Sequence, residues 1–190
     1  MGIAGSSAGV FDKVSFAFGE HVVLRDISFA VPKGGMRILI GASGAGKSVV
    51  LKLILGLFRP DAGAILVNGQ RIDRMSEDDL LQMRGGIGML FQDGALFDSL
   101  TVAENAMLGQ RGGGLRLDTA GVEQELTRLS GRYRLRVDPR ARIWQLSVGE
   151  QQRVEILRLL YRGAKILIFD EPTAVLTPQE AADLVQTLRH

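Results

Sequence analysis

Eight consecutive residues carry the most explicit chemistry in the chain. Gly41-Ala42-Ser43-Gly44-Ala45-Gly46-Lys47-Ser48 fits the pattern G-x-x-x-x-G-K-[ST] without a mismatch. Gly41, Gly44 and Gly46 allow backbone conformations that side chains forbid, so successive N–H groups can converge on a phosphate. Lys47 brings a fixed positive charge to the β/γ oxygens of a nucleotide, and the Ser48 hydroxyl suits Mg²⁺. A second chemical stretch lies far downstream. Ile166-Leu167-Ile168-Phe169-Asp170-Glu171 reads as an apolar strand ending in two adjacent carboxylates. At the carboxyl end of a core strand, Asp170 is placed to hold Mg²⁺ and Glu171 to polarise a water against the γ-phosphate.

Such groups need a scaffold, and the chain has the length for one. Its 190 residues predict one domain, with room for an inserted lobe and a substantial core. The 46% hydrophobic and 23% charged residues are ordinary for a globular protein. Net charge is +2, with basic residues scattered among acids rather than gathered on one stripe, which argues against a nucleic-acid partner. The absence of cysteine excludes disulfides, thiolate zinc sites and cysteine nucleophiles, and two histidines exclude a histidine-rich metal site. The longest apolar run is too short to span a bilayer. Met1-Gly2 with Ser6 matches the myristoylation pattern, but that pattern is short and a loose N-terminus is much the better account of it.

The patterning places elements around these groups. Residues 1–10 are Gly/Ser/Ala-rich and expected to fray. Residues 14–18 alternate as a strand, 22–24 with 27–31 continue in extended form, and Pro32-Lys33-Gly34-Gly35 makes a tight turn. Residues 36–40 read as a short buried strand delivering the chain to Gly41, and 49–58 as an apolar helix leaving it. Pro60-Asp61-Ala62-Gly63 marks a turn, 64–67 a strand, and Asn68-Gly69 a hairpin. Ser76 to Asp79 looks like a helix start, and 86–91 like a strand running into Gln92. From about 93 to 161 the texture is helical, broken by the polar, Gly-rich 110–114. Val122, Leu126 and Leu129 give 122–132 an amphipathic period, 154–161 reads as another helix, and a last helix is expected from Pro178.

Four motifs in this order carry a resemblance. They are Gly41 to Ser48, Gln92 after a strand, Leu146-Ser147-Val148-Gly149-Glu150, and Asp170-Glu171-Pro172. Together they resemble the nucleotide-binding subunit of an ATP-binding cassette (ABC) transporter, over nearly the whole chain. The resemblance implies an α/β P-loop NTPase of the ABC type: a RecA-like core with an N-terminal antiparallel β subdomain (1–92 and 162–190) and an inserted α-helical subdomain (93–161). It implies ATP and Mg²⁺ as ligands, with catalytic roles for Lys47, Gln92 and Glu171. Nucleotide contacts would come from Phe18, Gly41, Ala42, Ser43, Gly44, Ala45, Gly46, Lys47, Ser48, Val49, Gln92, Ser147, Gly149 and Glu150, and metal contacts from Ser48, Gln92 and Asp170. Phe18 stands where the family stacks an aromatic ring on adenine, although strand packing explains it as well. Ser147 and Gly149 match the signature that contacts the γ-phosphate held by an opposite subunit. A homodimer or heterodimer of such domains, an integral membrane permease and a cytoplasmic place on the inner face of the membrane follow as expected partners and location. No nucleic acid is expected.

The departures from the family pattern have consequences. The signature has Val148 and Glu150 where glycine and glutamine are commoner, and Thr177 stands where many members have an aspartate. The chain stops at His190, before the strand and switch histidine that the family pattern would bring, so the final core strand is expected to be missing. Residues up to about 105, especially 88–97, resemble Mla-type phospholipid-trafficking ATPases, whereas residues from about 132 on, in particular 146–155, 161–164 and 172–180, resemble nucleoside and simple-sugar importers, as in a joined or truncated chain. The leading expectation is an ATPase that drives transport through a permease docked near Ala95, Leu96 and Phe97. The alternatives are a truncated or chimeric nucleotide-binding module with little turnover and a soluble ABC-type ATPase acting on DNA or ribosomes.

Overall fold

In a computed structural model, the residues described are 7–90, 96–109, 119–170 and 186. The chain divides into two compact units, Met1–Ile87 and Gly88–His190.

The first unit is built on a four-stranded sheet. Strands β1 (Ser7–Phe18) and β2 (His21–Pro32) pair antiparallel through a two-residue turn at Gly19-Glu20. The sheet order is β2-β1-β3-β4, with β3 at Ala62–Val67 and β4 at Gln70–Arg71. The Asn68-Gly69 hairpin forms as expected, with φ of 50° and 81° at the two turn residues, the left-handed pair that such a turn requires. Helix α1 (Lys47–Ile54) and α2 (Glu77–Arg84) complete the unit, and the Ser76 hydroxyl caps α2 by accepting from the Asp79 N–H. Phe11, Val14, Leu24, Val50, Leu53, Ile65, Ile72 and Leu80 are buried and form its interior.

Three expectations are corrected here. Strand β1 begins at Ser7, inside the stretch expected to fray, because Gly9 and Val10 find partners on both β2 and β3. Residues 36–40 form no strand: they are irregular, and Ile40 is 94% exposed. An apolar run becomes a strand only when neighbours accept its hydrogen bonds, and among the described residues neither sheet includes this one. Helix α1 is also shorter than the expected 49–58, starting at Lys47 and closing in a turn at Leu55 and Gly56.

Gly63 marks the tightest point of the sheet. Its φ is 89°, and a Cβ there would lie 2.4 Å from the Lys13 carbonyl oxygen and 2.5 Å from that of Asp12. This is where the β1–β3 register shifts, between Asp12 and Ser15. Gly63→Ala is expected to cost about 2–4 kcal/mol, combining left-handed backbone with a backbone clash. Gly69→Ala, also at positive φ but with open space around it, should cost about 1 kcal/mol. Denaturant midpoints of the two variants test this; equal losses would mean that the Lys13 carbonyl simply moves aside.

The second unit contains a helical cluster and a two-stranded sheet. Strand β5 (Ile87–Leu90) neighbours β6 (Ile166–Phe169), and the Asp170 N–H donates to the Leu90 carbonyl at 3.1 Å. Helices α3 (Val102–Met107), α4 (Thr119–Arg132) and α5 (Val148–Tyr161) bury Val102, Leu126, Leu129, Val154, Ile156 and Leu157 in one core. Val122, Leu126 and Leu129 all face inward, as their spacing predicts. Helix α5 starts six residues before the expected 154, and the reason lies in its first turn, described below. The break at 110–114 and the helix expected from Pro178 lie outside the described residues.

Candidate functional site

The loop between β2 and α1 has the shape that its glycines foretell. Gly44 and Gly46 have φ of 79° and 86°, and Gly46 is the N-cap of α1 with no side-chain cap. Gly46 is also a packing requirement, since a Cβ would meet Leu24 at 2.9 Å and Val23 at 3.0 Å on β2. The loop closes on itself through the Ala45 N–H, which donates to the Ala42 carbonyl at 3.2 Å. Lys47 folds back over it: Nζ donates to the carbonyls of Gly41 at 2.8 Å and Ala42 at 2.9 Å. The ammonium is thus held over the loop at the positive end of a helix, which is where an anion would sit. This geometry fits a phosphate chain. The Ser48 hydroxyl, next along the chain, is a hard oxygen donor of the kind that Mg²⁺ takes. Among the described residues no group of three His, Cys, Asp or Glu side chains is placed to hold a metal ion.

Phe18 ends β1 and remains 53% exposed. Its ring stands edge-on to Phe16 at 4.9 Å and to Phe58 at 5.6 Å, while Phe16 and Phe58 stack on each other. Packing holds one edge of the ring, and the rest stays open to a ligand.

In the second unit, Ser147 is the N-cap of α5. Its Oγ accepts from the Glu150 N–H at 3.3 Å, and Glu150 Oε2 accepts from the Ser147 N–H at 2.8 Å. This capping box starts the helix at Val148 and explains its early beginning. Ser147 therefore presents its hydroxyl at a helix N-terminus, with its proton still available to donate, and Gly149 is buried in the first turn. Glu150, placed among the nucleotide contacts in the sequence reading, orients Ser147. Gln92 and Glu171 lie outside the described residues. The strands that lead to them, β5 and β6, are neighbours, and Asp170 closes their joined end.

Three residues escaped the sequence reading. Gln151 Nε2 donates to the carbonyls of Leu146 and Ile143, anchoring the approach to Ser147. Thr101 caps α3 with a second capping box, in which the Thr101 N–H and then its hydroxyl hold the Glu104 carboxyl below the usual carboxylate range. Asn105 is completely buried, and its side chain accepts from the Phe97 N–H at 2.8 Å and donates to the Phe97 carbonyl at 3.1 Å. Phe97 itself is 60% exposed. Both capping boxes were readable as Thr-x-x-Glu and Ser-x-x-Glu; the roles of Asn105 and Gln151 depend on contacts that spacing does not encode.

Comparison with known proteins decides the family. The model of the ABC transporter family matches residues 24–174, most of the chain. The chain belongs to that family. The nucleoside import ATP-binding protein NupA of Lactococcus lactis is 44% identical over 180 residues, covering 93% of this chain and 35% of its own length. The ribose import ATP-binding protein RbsA 1 of Streptomyces avermitilis is 38% identical over 169 residues, covering 88% and 32%. The chain thus spans about a third of the length of these ABC relatives. The solved structure of cbiO1 from Clostridium perfringens, part of the ABC transporter complex cbiONQ, superposes with a TM-score of 0.83 at 24% identity, covering 97% of this chain and 73% of that one. The fold is therefore that of an ABC ATPase, mixed α/β with an antiparallel β subdomain. Among the described residues no helix is long and apolar enough to cross a membrane.

Proposed function

We propose that the chain is the ATP-binding and ATP-hydrolysing part of an importer, powering movement of a nucleoside or simple sugar through a membrane permease. The observation that carries this is the similarity to NupA, which runs through both the phosphate loop and the Ser147 segment. In this reading residues 1–92 and 162–190 form the nucleotide-binding core and 93–161 its helical insertion. Lys47 and the loop from Gly41 to Val49 bind the phosphates, and Phe18 stacks on the base. Ser48, Gln92 and Asp170 hold Mg²⁺, which when bound neutralises charge on the phosphate oxygens. Glu171 polarises the attacking water. Ser147 and Gly149 offer a hydroxyl and a helix N-terminus to the γ-phosphate of a second domain, so ATP links two copies head to tail and its hydrolysis releases them.

A phospholipid cargo, the expectation drawn from residues up to about 105, is the second reading. Support for the importer reading is broader, because both relatives align along most of the chain, including this stretch.

Phe97 supports the permease contact. A buried asparagine holds its backbone at both N–H and carbonyl, so the exposed ring is presented by a rigid support, as an interface anchor requires. Co-expression with the permease tests the reading: the wild-type chain should co-purify with it, and Phe97→Asp should lose the association while ATP binding persists. Undiminished co-purification of the aspartate variant would place the contact elsewhere.

A further inference from the structure

We propose that the arginines at the end of α4 form a docking strip for anionic phospholipid headgroups. The strip comprises Arg132, in the last turn of α4, and Arg134 and Arg136 in the segment that follows. All three are exposed, while Leu135 and Val137 between and beyond them are buried. This alternation turns Arg134 and Arg136 outward together. The platform beneath them is rigid. The Leu135 N–H donates to the Ser130 carbonyl at 3.0 Å, and the buried Ser130 hydroxyl accepts from the Val137 N–H at 3.1 Å.

Neighbouring arginines are already engaged. Arg128 forms a two-pronged pair with Glu125, Arg140 pairs with Glu123 at 2.7 Å, and Arg142 donates to the Ser99 carbonyl. Asp138, the nearest acid in sequence, accepts from the Arg140 N–H. Among the described residues no carboxylate lies within ion-pair distance of Arg132, Arg134 or Arg136. Arg132 lies over the Tyr133 ring at 5.4 Å and complements the C-terminus of α4. No such role accounts for the other two, which adopt left-handed backbone (φ 55° and 46°) although neither is glycine. Three guanidinium charges on a stiff support, with no carboxylate partner among the described residues, suit the phosphate oxygens of a charged lipid surface.

A phospholipid surface suits this strip better than nucleic acid does. Tight nucleic-acid sites neutralise about six to ten phosphates and commonly add a stacking ring. Here there are three cations, and Tyr133 is half-buried beneath one of them. The choice of partner rests on the reading of the chain as a membrane-associated subunit, but the test needs no permease. The 190-residue chain is co-sedimented with vesicles of phosphatidylcholine alone and of phosphatidylcholine mixed with anionic phosphatidylglycerol, at low and at raised salt. The expected result is binding to the anionic vesicles only, weakened by salt. R132Q/R134Q/R136Q should lower the partition coefficient roughly hundredfold, and R132K/R134K/R136K should restore most of it. E123Q/E125Q/R128Q/R140Q, which removes two engaged pairs without altering the net charge, should change it little. Equal binding to both vesicle types, or an unaltered partition for the glutamine triple variant, would overturn the proposal. So would a salt-sensitive preference for duplex DNA that the same variant abolishes. Thermal melting checks that the triple variants fold. Because Phe97→Asp should keep vesicle binding while losing the permease, failure of one idea is distinguishable from failure of the other.

Discussion

Lys47→Ala is expected to lower the affinity for ATP by about 10- to 100-fold, the usual consequence of deleting a charged hydrogen-bond donor from a phosphate site. The structure adds a second reason. The Lys47 ammonium bridges the carbonyls of Gly41 and Ala42, so it both offers the charge and braces the first two residues of the loop. Alanine removes both functions. A methionine at 47 would keep the aliphatic stem packed but would lose the bridge, and should lose affinity to a similar extent. Titration with a fluorescent ATP analogue measures the effect, and a variant that binds as tightly as wild type would show that the loop amides alone hold the phosphates.

Glu171→Gln should do the opposite, leaving ATP binding intact and lowering turnover by about 10²- to 10⁴-fold, the range for loss of a positioned general base. Asp170, immediately before it in the sequence, follows β6 and donates its N–H to the Leu90 carbonyl at the end of β5. Glutamine preserves shape and removes only the ability to take a proton. ATP should then persist unhydrolysed, and a dimer should accumulate on gel filtration when ATP is present. The comparison of the two variants separates binding from chemistry, because one alters affinity and the other turnover. Near-normal hydrolysis by the glutamine variant would remove Glu171 from its assigned role. If the wild-type chain itself binds ATP without turning it over, the reading as a nucleotide-binding module takes over.

Much of the scaffold was legible because its signals are local. Asn68-Gly69 can hardly be anything but a hairpin turn, and Val122, Leu126 and Leu129 stand one helical turn apart on a buried face. The phosphate loop is the extreme case, since the left-handed backbone at Gly44 and Gly46 is a local demand that glycine meets. Errors arose where the outcome depends on distant partners. Residues 36–40 have the composition of a buried strand and lie exposed and irregular. Residues 7–10 look like a loose tail and are paired on both sides. Hydrophobicity says that a segment would gain by burial, but not which neighbours exist to bury it.

By itself the sequence determined the identity and order of the chemical groups: a phosphate loop at 41–48, the Leu146–Glu150 segment with its serine, and carboxylates after an apolar strand at 170–171. Those follow from local geometry, in which a glycine's freedom or a serine's reach to the third amide onward is fixed by bond lengths alone. Only the tertiary structure decided how these groups are supported. It closed Lys47 over two carbonyls, pressed Gly46 against β2, turned Glu150 back to orient Ser147, and placed a buried Asn105 behind an exposed Phe97. Each of these depends on where a side chain ends in space. Except within a single turn, that is a property of packing between segments and has no period along the chain.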